Sequence, residues 1–132
     1  MPKEFINPSA LSAPTGYTHV VRASGSRTIY IAGQIAFDRD GNLVGKGDLR
    51  LQAGQVFENL KAALAAVGAT FDDVVKMTTY VVNYKPEYRP LLREVRSQYL
   101  NSEHPPANTL VGVQSLALSD LLIEVEAIAV VD

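Results

Sequence analysis

The chain has 132 residues, 47% of them hydrophobic and 20% charged, with a formal net charge of −2 at pH 7. That is one domain with room for a real core and the composition of an ordinary soluble globular protein. No basic run appears, so the electrostatic footprint of a nucleic-acid binder is missing, and the absence of cysteine excludes disulfides, thiol catalysis and zinc–thiolate sites. The two histidines, His19 and His104, are too far apart in sequence to argue for a metal. No apolar run is long enough to span a bilayer, and the N-terminal MPKEFINPSA lacks the apolar stretch of a signal peptide. The expectation is a cytoplasmic enzyme or small-molecule binder with neither a nucleic-acid nor a membrane partner.

In chain order, residues 1–16 carry three prolines and several small polar residues, and read as an extended arm. Residues 18–23 (THVVRA) and 28–37 (TIYIAGQIAF) read as strands around a Ser-Gly-Ser turn, which predicts a hairpin. Gly33 inside the second marks a bulge or a place where something approaches the backbone closely. Residues 38–42 (DRDGN) form a turn. They fail as a calcium loop because the twelfth position is Leu49 where glutamate is required. Residues 48–67 are the clearest helix. Leu49, Ala53, Val56, Leu60, Leu64 and Val67 make one apolar stripe, with Asp48 as N-cap and Gly68 as the stop. Residues 74–82 (VVKMTTYVV) form a β-branched central strand. Residues 86–100 form a second helix with Pro86 and Pro90 in or before its first turn. After His104-Pro-Pro-Ala107 come two more strands, 108–115 and 122–131.

The order β-β-α-β-α-β-β, with a short sixth strand near residues 41–45, predicts a two-layer α/β sandwich: a mixed six-stranded sheet with both helices on one face. In the last strand Ile123, Val125, Ala127 and Ala129 point one way and Glu124, Glu126, Ile128 and Val130 the other. Two helices cover only one face, yet both faces carry apolar residues. An open apolar face of that size calls for a symmetric homo-oligomer. Glu124 and Glu126 need water, a cation or a polar pocket on that face.

These segments resemble the RidA/YjgF family, also called endoribonuclease L-PSP or reactive-intermediate deaminase. The resemblance runs from about Tyr17 to Val130. It rests on Gly16-Tyr17, IAGQI at 31–35, VFENL at 56–60, VVKMTTYVV at 74–82, Pro106-Ala107 and IEVEAIAV at 123–130. It is the order and spacing of these short pieces that is specific. The resemblance implies a chorismate-mutase-like fold and a homotrimer with a barrel-like centre and three ligand clefts between subunits. It implies no metal and no cofactor. Deaminating members hydrolyse enamines or imines derived from amino acids: water adds to the C=N carbon and ammonia leaves, giving a 2-keto acid. The family's acid falls on Glu124 and its tyrosine on Tyr17. The backbone near Gly33 and the carbonyl at Leu110 would line the same cleft.

The family arginine that grips the substrate carboxylate falls on Asn108, and the usual cysteine and serine are Leu110 and Ala32. A charge-assisted hydrogen bond contributes about 1.5–3 kcal/mol, so losing a bidentate pair should weaken carboxylate binding by about a hundredfold or more. Arg22 and His19 are the candidate substitute cations. Two readings follow: a RidA-like enzyme hydrolysing an imine, enamine or related carbonyl compound with an altered substrate, or a trimer of the same family that binds a metabolite without turnover. A ribonuclease is a poor fit to an acidic chain without a cationic stripe. Each site residue has a plainer alternative: Glu124 as an interface glutamate, Tyr17 as an anchor for the arm, Asn108 as a strand-start residue bonding its own backbone. Glu126 reads as structural.

Overall fold

The computed structural model describes residues 3–132; Met1 and Pro2, the start of the expected arm, lie outside the described residues. Six strands and two helices follow one another as β1 (Lys3–Ile6), β2 (Val20–Ala23), β3 (Arg27–Gln34), α1 (Leu49–Ala65), β4 (Val74–Val82), α2 (Tyr88–Ser97), β5 (Ala107–Val113) and β6 (Ile123–Val131). The main sheet has four strands in the order β3-β6-β4-β5, with β4 and β5 parallel and β6 antiparallel to both its neighbours. Both helices lie on one face.

Several expectations are corrected, among them the short strand near residues 41–45, where there is only an isolated bridge between Phe37 and Leu43. The first two predicted strands do not form a hairpin: β2 pairs with β1, and β3 pairs with β6. The six strands therefore split into a four-stranded sheet and a separate two-stranded ribbon. The reason is the length and burial of β6. Its nine residues place Ile123, Val125, Ala127 and Ala129 at 2% exposure or less, an apolar face that a four-residue β2 cannot match. The N-terminal segment read as an arm instead supplies β1, the antiparallel partner of β2.

Helix α1 forms where expected. Asp48 accepts from the Leu51 amide as N-cap, and Gly68 sits at φ +71°, the left-handed conformation that ends helices. Ala53, Val56, Leu60 and Leu64 are buried against the sheet, where Ala127 and Ala129 let the helix approach. Helix α2 begins at Tyr88, so Pro90 falls in its first turn, and it buries Leu92 and Val95. Residues 38–42 are a plain turn in which the Asp38 carboxylate accepts from the amides of Asp40 and Asn42. Among the described residues no helix is long and apolar enough to cross a membrane.

One buried polar side chain ties the loops to the core. Gln52 is fully buried in α1, and its amide nitrogen donates to the carbonyls of Gly45 (3.1 Å) and Asp120 (2.8 Å) while its oxygen accepts from the Leu122 amide (2.8 Å). Replacing Gln52 with leucine strands two carbonyls and one N–H, and is expected to cost about 2–4 kcal/mol in urea unfolding. A loss below about 1 kcal/mol would show that the loops re-form those bonds elsewhere.

Candidate functional site

Strand alternation assigns each predicted site residue to a face. Asn108 pairs with Met77 and Leu110 with Thr79. Met77 and Thr79 are buried on the helix side, so Asn108 and Leu110 point there too. Both line a cavity of about 300 Å³ between α2 and the sheet edge at β5, together with Tyr17, Thr79 and Tyr84. Tyr17 is held there because its neighbour Thr18 is buried and anchored to the 104–107 connection. The Thr18 hydroxyl donates to the Pro105 carbonyl and its amide to that of Pro106. The same connection leads directly into Asn108.

Glu124 and Gly33 lie on the other face. Between Ile31 and Gln34, β3 advances three residues while β6 moves two, from Ala127 to Val125. This is a one-residue bulge, and it spans Gly33. A Cβ placed on Gly33 would stand 1.9 Å from the Glu124 Oε2, so the carboxylate lies across bare backbone. Glu126 accepts a 2.9 Å hydrogen bond from the Tyr80 hydroxyl. That bond, ahead of burial, holds the Tyr80 phenol above its ordinary range. Glu124, by contrast, makes no hydrogen bond or ion pair within the side-chain network of the described residues. Gly33→Ala is therefore expected to keep the fold but displace the Glu124 carboxylate. Where the carboxylate acts on a substrate, a shift of that kind costs on the order of a hundredfold in turnover; a Gly33→Ala protein as active as the parent would separate Glu124 from any such chemistry.

Within one chain, then, the five residues form two groups on opposite faces of the sheet: Tyr17, Asn108 and Leu110 in the cavity, Glu124 and Gly33 outside it.

Neither substitute cation reaches the cavity wall. Arg22 is paired with Glu4 across the β1–β2 ribbon. The His19 ring bonds the Ser12 carbonyl and packs edge-on against Tyr17, one ring removed from the cavity. The positive charge comes instead from α2. Arg89 and Arg96 both line the cavity, and Arg93 beside them reaches toward the Thr15 carbonyl at 3.5 Å. At 100° per residue the three fall within about 60° of one another on the helix. None has a carboxylate within ion-pair distance among the described residues. The Nε of Arg93 is buried without a partner, and so is the carbonyl oxygen of Asn108. Burial, then repulsion from Arg93 and Arg89, lowers the Arg96 guanidinium from its ordinary range. Gly16, at φ +79°, makes room for them: a Cβ there would meet Arg96 at 2.8 Å and Arg93 at 3.2 Å. The spacing R-x-x-x-R-x-x-R at 89, 93 and 96 was the available sequence signal, obscured by its position beside the apolar stripe of Leu92 and Val95. Among the described residues no three His, Cys, Asp or Glu side chains gather as metal ligands do.

A mixed sheet, two helices on one face, a bulged glycine under an acid and a small cavity at the sheet edge together define a protein of the RidA type. The endoribonuclease L-PSP profile matches residues 7–131, and the chain belongs to that family, the RidA/YjgF family. It is 38% identical to a RutC family protein of Pyrococcus abyssi over 98% of both chains. It is 32% identical to a 2-iminobutanoate/2-iminopropanoate deaminase of Dermatophagoides farinae, again covering 98% of each. A crystal structure of a Rid-family protein of unknown function from Yersinia pestis superposes with a TM-score of 0.90 at 42% identity, covering 98% of this chain and 99% of that one.

Proposed function

We propose that the protein hydrolyses small imines or enamines, without a cofactor, in clefts between the subunits of a homotrimer. The observation that carries this reading is the Glu124 carboxylate, which makes no hydrogen bond or ion pair among the described residues and is held over the bare backbone of Gly33. In the reaction, Glu124 takes a proton from water as its oxygen bonds to the C=N carbon. The proton passes to nitrogen to give a carbinolamine; its hydroxyl then gives up its proton to the same carboxylate, which delivers it to nitrogen as the C–N bond breaks, and ammonia and a carbonyl compound are released. An enamine first gains a proton at carbon and gives one up from nitrogen to become the imine. The relative from Dermatophagoides farinae, whose name states an imine deaminase, supports the class of reaction.

The division of the site supports the trimer. The sheet has two free edges, β3 and β5. Glu124 and Gly33 sit toward the first and the cavity opens at the second. A head-to-tail ring that packs the β5 edge of one copy over the open face of the next, beside its β3, would bring the two groups into one cleft and repeat it at each interface. It also covers the open face, where Tyr30 is 77% exposed and Val111 partly so. Arg89 and Arg96 supply the positive charge that Asn108 lacks.

The test is a coupled assay for ammonia and keto acid, with imines generated in situ from a panel of amino acids, alongside sedimentation of the intact protein. Ammonia release from a trimer is the expected result. A monomer, or no release from any imine, overturns it. A second reading, a trimer that binds a metabolite without turnover, is favoured by the separation of Glu124 from the cavity within one chain. It expects a ligand that raises thermal stability by mass action with no product.

A further inference from the structure

We infer that the cavity between α2 and β5 is built for a small dianion: two negative groups on a short carbon chain, one held by Arg89 and the other by Arg96. This rests on the reading of the cavity as the ligand-holding half of the site. A single arginine on the strand would hold one carboxylate. Here two guanidiniums line the same wall, seven residues apart on one helix. That spacing corresponds to about 10 Å along the axis, from which two long side chains can converge on groups separated by several carbons. A third guanidinium, Arg93, stands behind them with its Nε unpartnered.

Charge accounting points the same way. Three like charges are gathered on one side of α2, and among the described residues no carboxylate neutralises any of them. The other polar residues that line the cavity, Thr15, Tyr17, Thr79, Tyr84 and Asn108, are uncharged. A monoanion leaves a net positive cavity; a dianion offsets both guanidiniums that line it and weakens their mutual repulsion. Planar guanidiniums also favour carboxylates through paired parallel hydrogen bonds. The buried, unpartnered carbonyl oxygen of Asn108 accepts one further N–H or O–H from the ligand. At about 300 Å³ the cavity suits a compound of a few carbons.

The experiment is calorimetric titration of the full-length protein with glutarate, butyrate and inorganic phosphate at matched ionic strength, repeated on Arg89→Gln and Arg96→Gln. Glutarate is expected to bind at least about tenfold more tightly than butyrate, with phosphate no better than butyrate. Each substitution should remove most of that advantage. Equal binding of glutarate and butyrate overturns the inference, and so does a preference that survives both substitutions. Phosphate binding as tight as glutarate assigns the arginines to one compact anion and also overturns it. The hydrolase reading is judged separately by ammonia release. Turnover that depends on Glu124 without a dianion preference removes only this inference. A dianion preference without turnover keeps it and removes the hydrolase.

Discussion

Replacing Glu124 with glutamine is expected to lower imine hydrolysis by about 10²–10⁴-fold, the usual contribution of a positioned general acid–base group. The substitution keeps the size of the side chain and removes only its ability to take a proton. Since the carboxylate makes no bond that holds the fold together, thermal stability and ligand affinity should stay close to those of the parent. Unchanged turnover would sink the proposed role. The divided site adds a sharper form of the test. Glu124→Gln and Arg96→Gln are expected each to be defective alone. Co-expressed in mixed trimers, they should regain activity at the interfaces, about one in four, that combine an intact Glu124 from one copy with an intact arginine cavity from its neighbour. No recovery in the mixture would place the whole reaction within one chain.

Asn108→Arg is expected to damage the protein instead of restoring the family's chemistry. On sequence grounds it is a gain of function, since arginine is the family's residue there. In this fold the new guanidinium would enter a cavity that already holds Arg89 and Arg96, with no acid to meet it. An uncompensated, partly buried cation costs about 3 kcal/mol, a fall on the order of 10 °C in Tm for a domain of this size. A dianion should recover part of that loss by binding. Differential scanning calorimetry with and without glutarate measures both. A variant as stable as the parent, with improved turnover of monocarboxylic imines, would mean that the α2 arginines stand clear of the ligand and that position 108 alone decides substrate choice.

The elements whose identity depends on local pattern were legible before any coordinates. The apolar stripe of α1 with Asp48 and Gly68 at its ends, the position of Pro90 in the first turn of α2, and the in–out alternation of β6 all follow from short-range rules that the tertiary fold had no reason to override. The Gly33 bulge was legible as well, because a glycine within a strand has few other uses. Strand partners were not. Nothing local to residues 18–37 says that β3 belongs beside β6, more than ninety residues away, while β2 turns back to β1. That choice is made by which pairing buries the longer apolar face, a quantity of the whole chain.

The site divides in the same way. The amino-acid sequence by itself determined the family and the residue types at positions 33, 108 and 124, a glycine, a neutral amide and an acid, because each stands within a recognisable segment. Only the tertiary structure decided that Glu124 and Asn108 face opposite sides of one sheet, that Arg22 and His19 are engaged elsewhere, and that the cavity's positive charge comes from α2. The physical reason is that charge acts through space. An arginine twelve residues from Asn108 along the chain can serve the same cavity wall, and only the packing of a helix against a sheet edge brings it there.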